Sequence, residues 1–320
     1  VLRNVAVGLG GRGDGPPRQT GFDIAVASEV MAILALTTDL ADMRARMGRI
    51  VVGQARDGTP VTAEALRAAG AMTALMKEAL KPTLVQTLEN TPALIHAGPF
   101  ANIAHGNSSI VADRIGLRAA EYLITEAGFG ADIGAEKFFN IKCRASGLRP
   151  DAAVVVTTVR AMKLHSGHHR VRPGRPLPAA MLVERPDEVA EGTVNLRRHL
   201  AIVRRHGVTP VVCVNRFPGD HASEIQAIFD AAAEEGVRRA EARHWAEGGA
   251  GAVELARQVV AAADEPSDFR FLYALDQPIR AKIEATVHEV YGAGDVAYEA
   301  LAERQIAAFE ANGFGALPIC

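Results

Sequence analysis

The chain has 320 residues, of which 48% are hydrophobic and 22% are charged, and its formal net charge is −2 at pH 7. This balance gives no electrostatic reason to expect binding to nucleic acid or to an anionic membrane surface. No apolar stretch approaches the ~20 residues of a membrane-spanning helix, and no signal-peptide pattern opens the chain. Three widely spaced cysteines without a C-x-x-C pair indicate a reducing compartment. We therefore expect a cytoplasmic globular protein.

The first motif is a glycine-rich segment. Gly8, Gly10 and Gly13 satisfy the pattern G-x-G-x-x-G after a short apolar, strand-like run. A dinucleotide-binding fold needs a helix directly after these glycines, whereas Pro16 and Pro17 occupy that position here. We therefore predict a glycine-rich loop rather than a nicotinamide site.

The first 82 residues combine helical and extended patterns. Thr20, with Asp23 three residues later, is predicted to cap a helix. Further predicted elements are a helix over 39–47, a strand over 49–53, a hairpin turn at Asp57-Gly58 and a helix that Thr62 caps and that ends before Pro82. We interpret residues 1–82 as an α/β segment whose parent domain can begin upstream.

The rest of the chain alternates apolar strands with helices, which is typical of a parallel sheet covered on both faces. The predicted strands are 122–124, 152–156, 211–214 and 269–273, and the predicted helices are 107–120, 135–142, 221–235, 249–263, 278–291 and 298–311. The fold class is therefore α/β, with a mostly parallel sheet flanked by helices and additional α/β segments. We predict a core over 83–220 and a C-terminal α/β portion over 221–320.

A surface loop is predicted to interrupt the core at 168–191, because this region is rich in proline and arginine. His165, His168 and His169 lie close together at its start, and such a group could bind a metal. No fourth ligand is evident nearby. We therefore assign no metal site and favour a solvated loop.

Carboxylates and glycines cluster after the predicted strand at 122–124. Glu126, Gly128 and Gly130 lie in this segment, and Phe129 stands between the two glycines. Ligands of open α/β sheets bind beyond the carboxyl ends of the strands, so we expect this segment to converge with 160–165 and 215–218. An isolated acid in a loop is more often simply solvated. A ligand site is favoured only because several such segments are expected at the same edge of the sheet.

A purine nucleotide is favoured by position. Glu126 and Gly128 occur where P-loop folds place a metal-facing strand end, and Asn215 occurs where such folds contact the base. The chain contains no G-x-x-x-x-G-K-[ST] sequence, so the loop and lysine that hold the phosphates are missing. A P-loop NTPase-like core would therefore be incomplete.

Four stretches of this chain resemble the formate–tetrahydrofolate ligase family, and the likeness extends over nearly the whole sequence. The stretches are 20–30 (TGFDIAVASEV), 84–106 (LVQTLENTPALIHAGPFANIAHG), 125–144 (TEAGFGADIGAEKFFNIKCR) and 215–218 (NRFP). The resemblance implies ATP-dependent ligation of formate to tetrahydrofolate through formyl phosphate. It also implies Mg²⁺, a response to monovalent cations, and a homotetramer.

The resemblance further implies that this chain is an internal portion of the ligase. In the family, a P-loop segment precedes the position of Val1 and a further segment follows Cys320. The catalytic residues are therefore unassigned here, and the chain alone is expected to be inactive. The alternative is a truncated relative that binds folate or a partner subunit without catalysis.

The resemblance also assigns a folate pocket. Phe129 and Trp245 match the two aromatic residues that sandwich the pterin, and Phe217 and Pro218 match the apolar wall beside it. Glu241 departs from the pattern, since an apolar residue is common there. The nucleotide side would comprise Glu126, Gly128, Gly130 and Asn215.

Overall fold

The computed structural model describes residues 4–21, 24–172 and 174–320. Six of its nine described strands form three separate antiparallel hairpins in the first third of the chain. The hairpins pair β1 (Val5–Val7) with β2 (Arg18–Thr20), β3 (Val51–Gln54) with β4 (Pro60–Thr62), and β5 (Thr83–Gln86) with β6 (Pro92–Ile95).

The remaining three strands form one parallel sheet. They are β7 (Ala152–Thr157), β8 (Thr209–Asn215) and β9 (Arg238–Ala242), in the order β7-β8-β9. The predicted strands at 152–156 and 211–214 are confirmed as β7 and β8. β9 was not predicted, because its sequence R-R-A-E-A lacks the β-branched and aromatic residues that mark a strand.

Twelve α-helices lie within the described residues. They are α1 (Glu29–Leu36), α2 (Leu40–Gly48), α3 (Ala69–Met76), α4 (Ile110–Ala119), α5 (Arg144–Ser146), α6 (Val159–His165), α7 (Pro186–Arg205), α8 (Ala222–Glu234), α9 (His244–Glu247), α10 (Val253–Ala263), α11 (Ile279–Thr286) and α12 (Ala300–Ala311). Turns of π-helix cover Ala131–Ala135, Phe138–Cys143 and Val287–Tyr291. None of these helices combines the length and apolar character needed to cross a membrane.

The hydrophobic core of the sheet lies between its strands and helices α6, α7 and α8. Val212 and Val214 of β8 are fully buried and pack against Leu196 and Leu200 of α7. Helix α10 contacts the sheet as well. An α/β fold with a parallel sheet flanked by helices is therefore confirmed, and β8 is its central strand.

The N-terminal elements partly follow the sequence pattern. The G-x-G-x-x-G segment is confirmed as a loop, because it connects the antiparallel strands β1 and β2. Helix α2 is also confirmed, and Asp39 caps it by accepting a hydrogen bond from the N–H of Asp42 at 2.8 Å. The Asp57-Gly58 turn joins β3 to β4, with Gly58 at φ +88°.

Two predicted helix caps are wrong. Thr20 ends β2, and helix α1 begins only at Glu29, where the Ser28 hydroxyl accepts from the N–H of Met31. Phe22 and Asp23 lie outside the described residues. Thr62 ends β4. The Thr62 hydroxyl accepts a hydrogen bond from the N–H of Ala65 at 3.3 Å and so caps a turn, whereas helix α3 begins only at Ala69. Both hydroxyl residues end a hairpin strand, and neither caps the helix that the pattern predicts.

Two predicted strands are absent from the described chain. Residues 122–126 run without a ladder partner, and only Ala127 forms an isolated bridge, to Asn107. Residues 269–273 also form no strand. An apolar run becomes a strand only where a neighbouring strand accepts its hydrogen bonds, and neither run has such a neighbour among the described residues.

The predicted loop at 168–191 is shorter than expected. Its last part, from Pro186 onward, belongs to helix α7. Proline suits the first turn of a helix, although in the sequence it reads as a loop residue. The division at residue 220 remains a prediction, and we note that it falls between β8 and β9, which pair in one sheet.

Candidate ligand site at the carboxyl edge of the parallel sheet

The carboxyl ends of the three parallel strands lie side by side. Thr157 of β7 pairs with Val214 of β8, and Asn215 pairs with Ala242 of β9. The loops that follow therefore leave the sheet at one edge, where open α/β folds bind their ligands. The predicted convergence of 160–165 with 215–218 agrees with this pairing, and 243–245 joins them.

Two aromatic side chains extend from this edge. Phe217 follows β8 and is 36% exposed, while Trp245 lies in the short helix α9 after β9 and is 79% exposed. Pro218, beside Phe217, is also exposed. A tryptophan is usually well buried, so its exposure at this edge marks a surface suited to a flat apolar ligand.

Arg160 covers part of Phe217. Its guanidinium carbon lies 4.4 Å from the centroid of the Phe217 ring, which is a cation–π contact. The N–H of Phe217 also donates a hydrogen bond to the carboxylate of Asp220 at 2.8 Å. The turn that carries the ring is therefore fixed from two directions.

Glu241 of β9 pairs with Val214 of β8, one position before Asn215, so the side chains of Asn215 and Glu241 leave opposite faces of the sheet. Asn215 is half-buried at the last position of β8. The Nη1 atom of Arg216 lies 3.1 Å from Oε2 of Glu241, and the N–H of Arg216 donates to the carbonyl of Ala242. The acid at position 241 thus has a specific cation beside it, which sequence reasoning missed.

The segment around Glu126 does not belong to this sheet in the described chain. The expectation that it joins the carboxyl edge as a strand end is therefore wrong, since residues 122–126 form no strand. Glu126 is exposed, and Gly128 and Gly130 are half-buried. Their role in nucleotide binding remains a prediction.

Tight backbone packing explains the glycines of this segment. The N–H of Gly128 donates to the carbonyl of Gly106 at 3.0 Å. A Cβ atom at Gly134 would overlap the carbonyl oxygen of Gly128, so any larger residue there would push the loop apart. These glycines therefore shape the loop that carries Phe129.

Phe129 is held in an unusual conformation. Its φ is +63°, in the left-handed region that non-glycine residues seldom adopt, and its side chain is 70% exposed. Residues with such strained backbones concentrate at functional sites. Within the described chain, no aromatic pair includes Phe129 or Trp245. Their pterin sandwich remains a prediction.

His199 contacts the same loop and was not found from the sequence. Its Nδ1 atom accepts a hydrogen bond from the N–H of Ala131 at 3.1 Å, and burial lowers the pKa of its imidazole. The histidine lies in the middle of helix α7, 68 residues from Ala131. No local sequence signal marks this pairing, because it depends on the packing of α7 against the loop.

The histidines at the start of the proline-rich loop contact acids of helix α7. Nε2 of His168 lies 2.7 Å from a carboxylate oxygen of Glu191, and Nε2 of His169 lies 2.6 Å from one of Glu188. Among the residues that the structure describes, no three histidine, cysteine or acidic side chains are grouped to hold a metal ion.

These features define an α/β protein whose parallel sheet presents aromatic rings and a guanidinium at its carboxyl edge. The family model for formate–tetrahydrofolate ligase matches residues 1–320, the whole chain. The chain therefore belongs to the formate–tetrahydrofolate ligase family, as the resemblance in its sequence indicated.

Individual relatives agree with the family model. The chain is 64% identical to a formate–tetrahydrofolate ligase of Saccharopolyspora erythraea over 319 residues, which are 100% of this chain and 56% of the relative. It is 58% identical to formate–tetrahydrofolate ligase 3 of Rubrobacter xylanophilus and 54% identical to a ligase of Cutibacterium acnes, and covers 57% of each. The chain thus spans a little over half the length of these curated relatives.

Proposed function

We propose that this chain supplies the tetrahydrofolate-binding part of a formate–tetrahydrofolate ligase. The observation that carries the proposal is the position of Phe217 and Trp245, which follow adjacent parallel strands at the ligand edge and remain exposed. A pterin is a flat heterocycle, and stacking on such rings contributes about 1–3 kcal/mol for each base in comparable nucleic-acid sites. The family resemblance is the ground on which Phe129 is proposed as a further ring of this slot.

The proposed reaction of the whole ligase joins formate to the N10 amine of tetrahydrofolate. Formate is an anion with a poor leaving group, so ATP first transfers its γ-phosphoryl group to a formate oxygen, giving formyl phosphate and ADP. The N10 amine then attacks the formyl carbon, the C–O bond to phosphate breaks, and N10 loses its proton. Both steps depend on positioning and on cations such as Mg²⁺ that neutralise phosphoryl charge.

The residues of this chain do not fit the phosphate part of that reaction. The sequence contains no G-x-x-x-x-G-K-[ST] loop, and this loop is what cradles nucleotide phosphates. We therefore assign no phosphoryl step to these residues. Asn215, Glu126, Gly128 and Gly130 remain proposed contacts to the nucleotide. The homotetramer likewise remains a proposal from the family resemblance.

Titration of tetrahydrofolate against tryptophan fluorescence tests the proposal, because Trp245 is the single tryptophan of the chain. We expect saturable quenching, and we expect Phe129→Leu and Phe217→Leu each to weaken binding by about 1–3 kcal/mol. Phe309→Leu is the matched control, since this ring is also exposed but lies on α12. Absence of binding by the unaltered chain would contradict the proposal.

A formate-dependent assay of ADP release tests the second part. We expect no turnover by this chain alone, because it lacks the phosphate loop. Turnover would show that the phosphates are held by other residues. Binding of folate without turnover fits the proposal and also fits a relative without catalysis. Addition of the remaining segments of a full-length relative distinguishes the two.

A further inference from the structure

The loop that carries Phe129 is fixed to helix α7 by His199. The N–H of Ala131, two residues after Phe129, donates to Nδ1 of His199 at 3.1 Å. Helix α7 is itself held in the core, where Leu196 and Leu200 are buried on either side of His199 along the helix. The imidazole is therefore a point of attachment on the C-terminal side of Phe129, while the hydrogen bond from Gly128 to Gly106 holds the loop on the other side.

The loop is shaped to receive this imidazole. A Cβ atom at Gly130 would lie 2.8 Å from Cε1 of His199, so a larger residue there would displace the ring. Phe129, directly before Gly130, has the strained φ of +63°. A strained backbone persists only where surrounding contacts determine it, and the hydrogen bond to His199 is one such contact.

The hydrogen bond requires a neutral imidazole. Nδ1 must offer its lone pair to the N–H of Ala131, so the ring proton resides on Nε2. Two titratable groups act on the charge of the ring, and a third donates to the backbone beside it. Oδ1 of Asp132 lies 3.9 Å from Nδ1 and favours protonation, His165 opposes it, and the hydroxyl of Tyr291 donates to the backbone carbonyl of Asp132.

We propose that His199 is a positioning residue for tetrahydrofolate binding: its neutral imidazole holds the loop so that Phe129 faces the ligand, and its protonation releases the loop. This inference rests on the proposed function only for the identity of the ligand, tetrahydrofolate. The attachment itself can be measured without folate.

The pH dependence follows from the direction of the pKa. Burial is the main cause that lowers the pKa of His199 below its ordinary value. The neutral form is therefore present above about pH 6.5, and the attachment is lost as the pH falls through the lowered pKa. We expect tetrahydrofolate affinity to fall with it.

Two substitutions of His199 distinguish its role as a hydrogen-bond acceptor from its ability to take up a proton. In His199→Asn, the side-chain oxygen occupies the position of Nδ1 but does not titrate, whereas His199→Gln places its oxygen one bond farther out. At pH 7.5 we expect H199N to bind within about twofold of the unaltered chain, and H199Q to bind about fivefold more weakly, as loss of one hydrogen bond predicts. As the pH falls through the lowered pKa of His199, the unaltered chain should weaken and H199N should not.

The control is His168→Gln, which removes an exposed histidine that contacts the same helix. We expect it to retain both the affinity and the pH dependence of the unaltered chain. Any titration of tetrahydrofolate itself affects H199N and the unaltered chain equally. If acid weakens the affinity of H199N as much as that of the unaltered chain, His199 is not the cause and the proposal is overturned. Equal affinities of H199Q and H199N would overturn it as well.

Hydrogen exchange at the Ala131 amide tests the attachment without folate. We expect faster exchange in H199Q than in H199N at pH 7.5, after correction for intrinsic rates. If the unaltered chain binds no tetrahydrofolate, the proposed function fails, and this exchange rate still decides the role of His199. Equal exchange in both variants would show that His199 does not hold the loop.

Discussion

The Nζ atom of Lys163 lies 2.5 Å from Oε1 of Glu224, and both side chains are almost fully buried. Lys163 also donates to the carbonyl oxygens of Met181 and Val183, at 3.0 and 2.8 Å. The other hydrogen-bond donors to Glu224 include the N–H of Arg185, at 2.8 Å. This buried pair therefore joins helix α6, helix α8 and the end of the proline-rich loop.

Replacement of Lys163 by Met should strongly destabilise the fold. The substitution leaves Glu224 buried without its cation, which typically costs about 3–5 kcal/mol. Urea denaturation followed by circular dichroism measures this loss. Arg44→Ala is the control, because Arg44 and Glu64 form an exposed pair and we expect no measurable change.

The double variant Lys163→Met, Glu224→Leu should be less destabilised than Lys163→Met alone. Removal of both charges leaves no unpaired buried ion, so the penalty for a buried, unpaired charge disappears, although the backbone groups of Met181, Val183 and Arg185 still lose their partners. Similar stabilities of the single and double variants would contradict this account of the pair.

Glu136 should make the stability of the chain depend on pH. Burial raises the pKa of its carboxyl to about 7, while the amide of Asn140 donates to it at 2.9 Å. The pKa is higher in the folded than in the unfolded chain, so the stabilisation is present below about pH 4.5 and is lost as the pH rises to about 7.

Glu136→Gln should remove this dependence. The glutamine keeps an acceptor for Asn140 without an ionisable group, so we expect the variant to be about 2–3 kcal/mol more stable than the unaltered chain at pH 8. The two should have similar stabilities at pH 4.5. Denaturation curves at both pH values measure the free energies of unfolding. A difference in stability between the two proteins that is the same at pH 4.5 and pH 8 would contradict the raised pKa of Glu136.

Two glycines should respond oppositely to alanine. Gly134→Ala places a methyl group on the carbonyl of Gly128, and we expect it to destabilise the chain by more than about 1 kcal/mol. It should also weaken tetrahydrofolate binding, because the Phe129 loop shifts. Gly70 is the second residue of α3 and has open space at its Cβ position, so Gly70→Ala should stabilise by about 0.5 kcal/mol, the lower end of the range for a helix interior. Thermal denaturation compares them.

Glu241→Leu should strengthen tetrahydrofolate binding. Leucine restores an apolar wall beside the proposed pterin slot, and one partly buried apolar group contributes about 1 kcal/mol, or about fivefold in affinity. Arg216, which loses its ion-pair partner, is partly exposed and remains solvated. Glu241→Gln is the control, since it removes the charge without adding apolar surface. Isothermal calorimetry measures the affinities of the unaltered chain and the two variants. If E241Q binds as tightly as E241L, removal of the charge explains the gain and the apolar wall does not.

Local pattern was sufficient for elements whose side chains repeat regularly. We recognised β7 and β8 from their apolar runs, and α8 and α12 from the helical spacing of their apolar residues. These patterns are visible because burial of one or both faces of an element fixes where apolar residues recur. The apolar run at 122–124 has the same appearance but forms no strand, because strand formation also depends on a neighbour that the run itself does not specify.

The sequence by itself determined the α/β class, the family and the position of Phe217 after its strand, since all three depend on residue type and spacing along the chain. That Trp245 follows a strand became clear only from the structure, because β9 was not predicted. The tertiary structure alone decided which distant groups meet. The contact of Arg216 with Glu241 spans 25 residues and that of Ala131 with His199 spans 68. Such contacts arise from the packing of helices and strands on one another. A hydrogen bond between residues far apart in the chain produces no periodic pattern in the sequence.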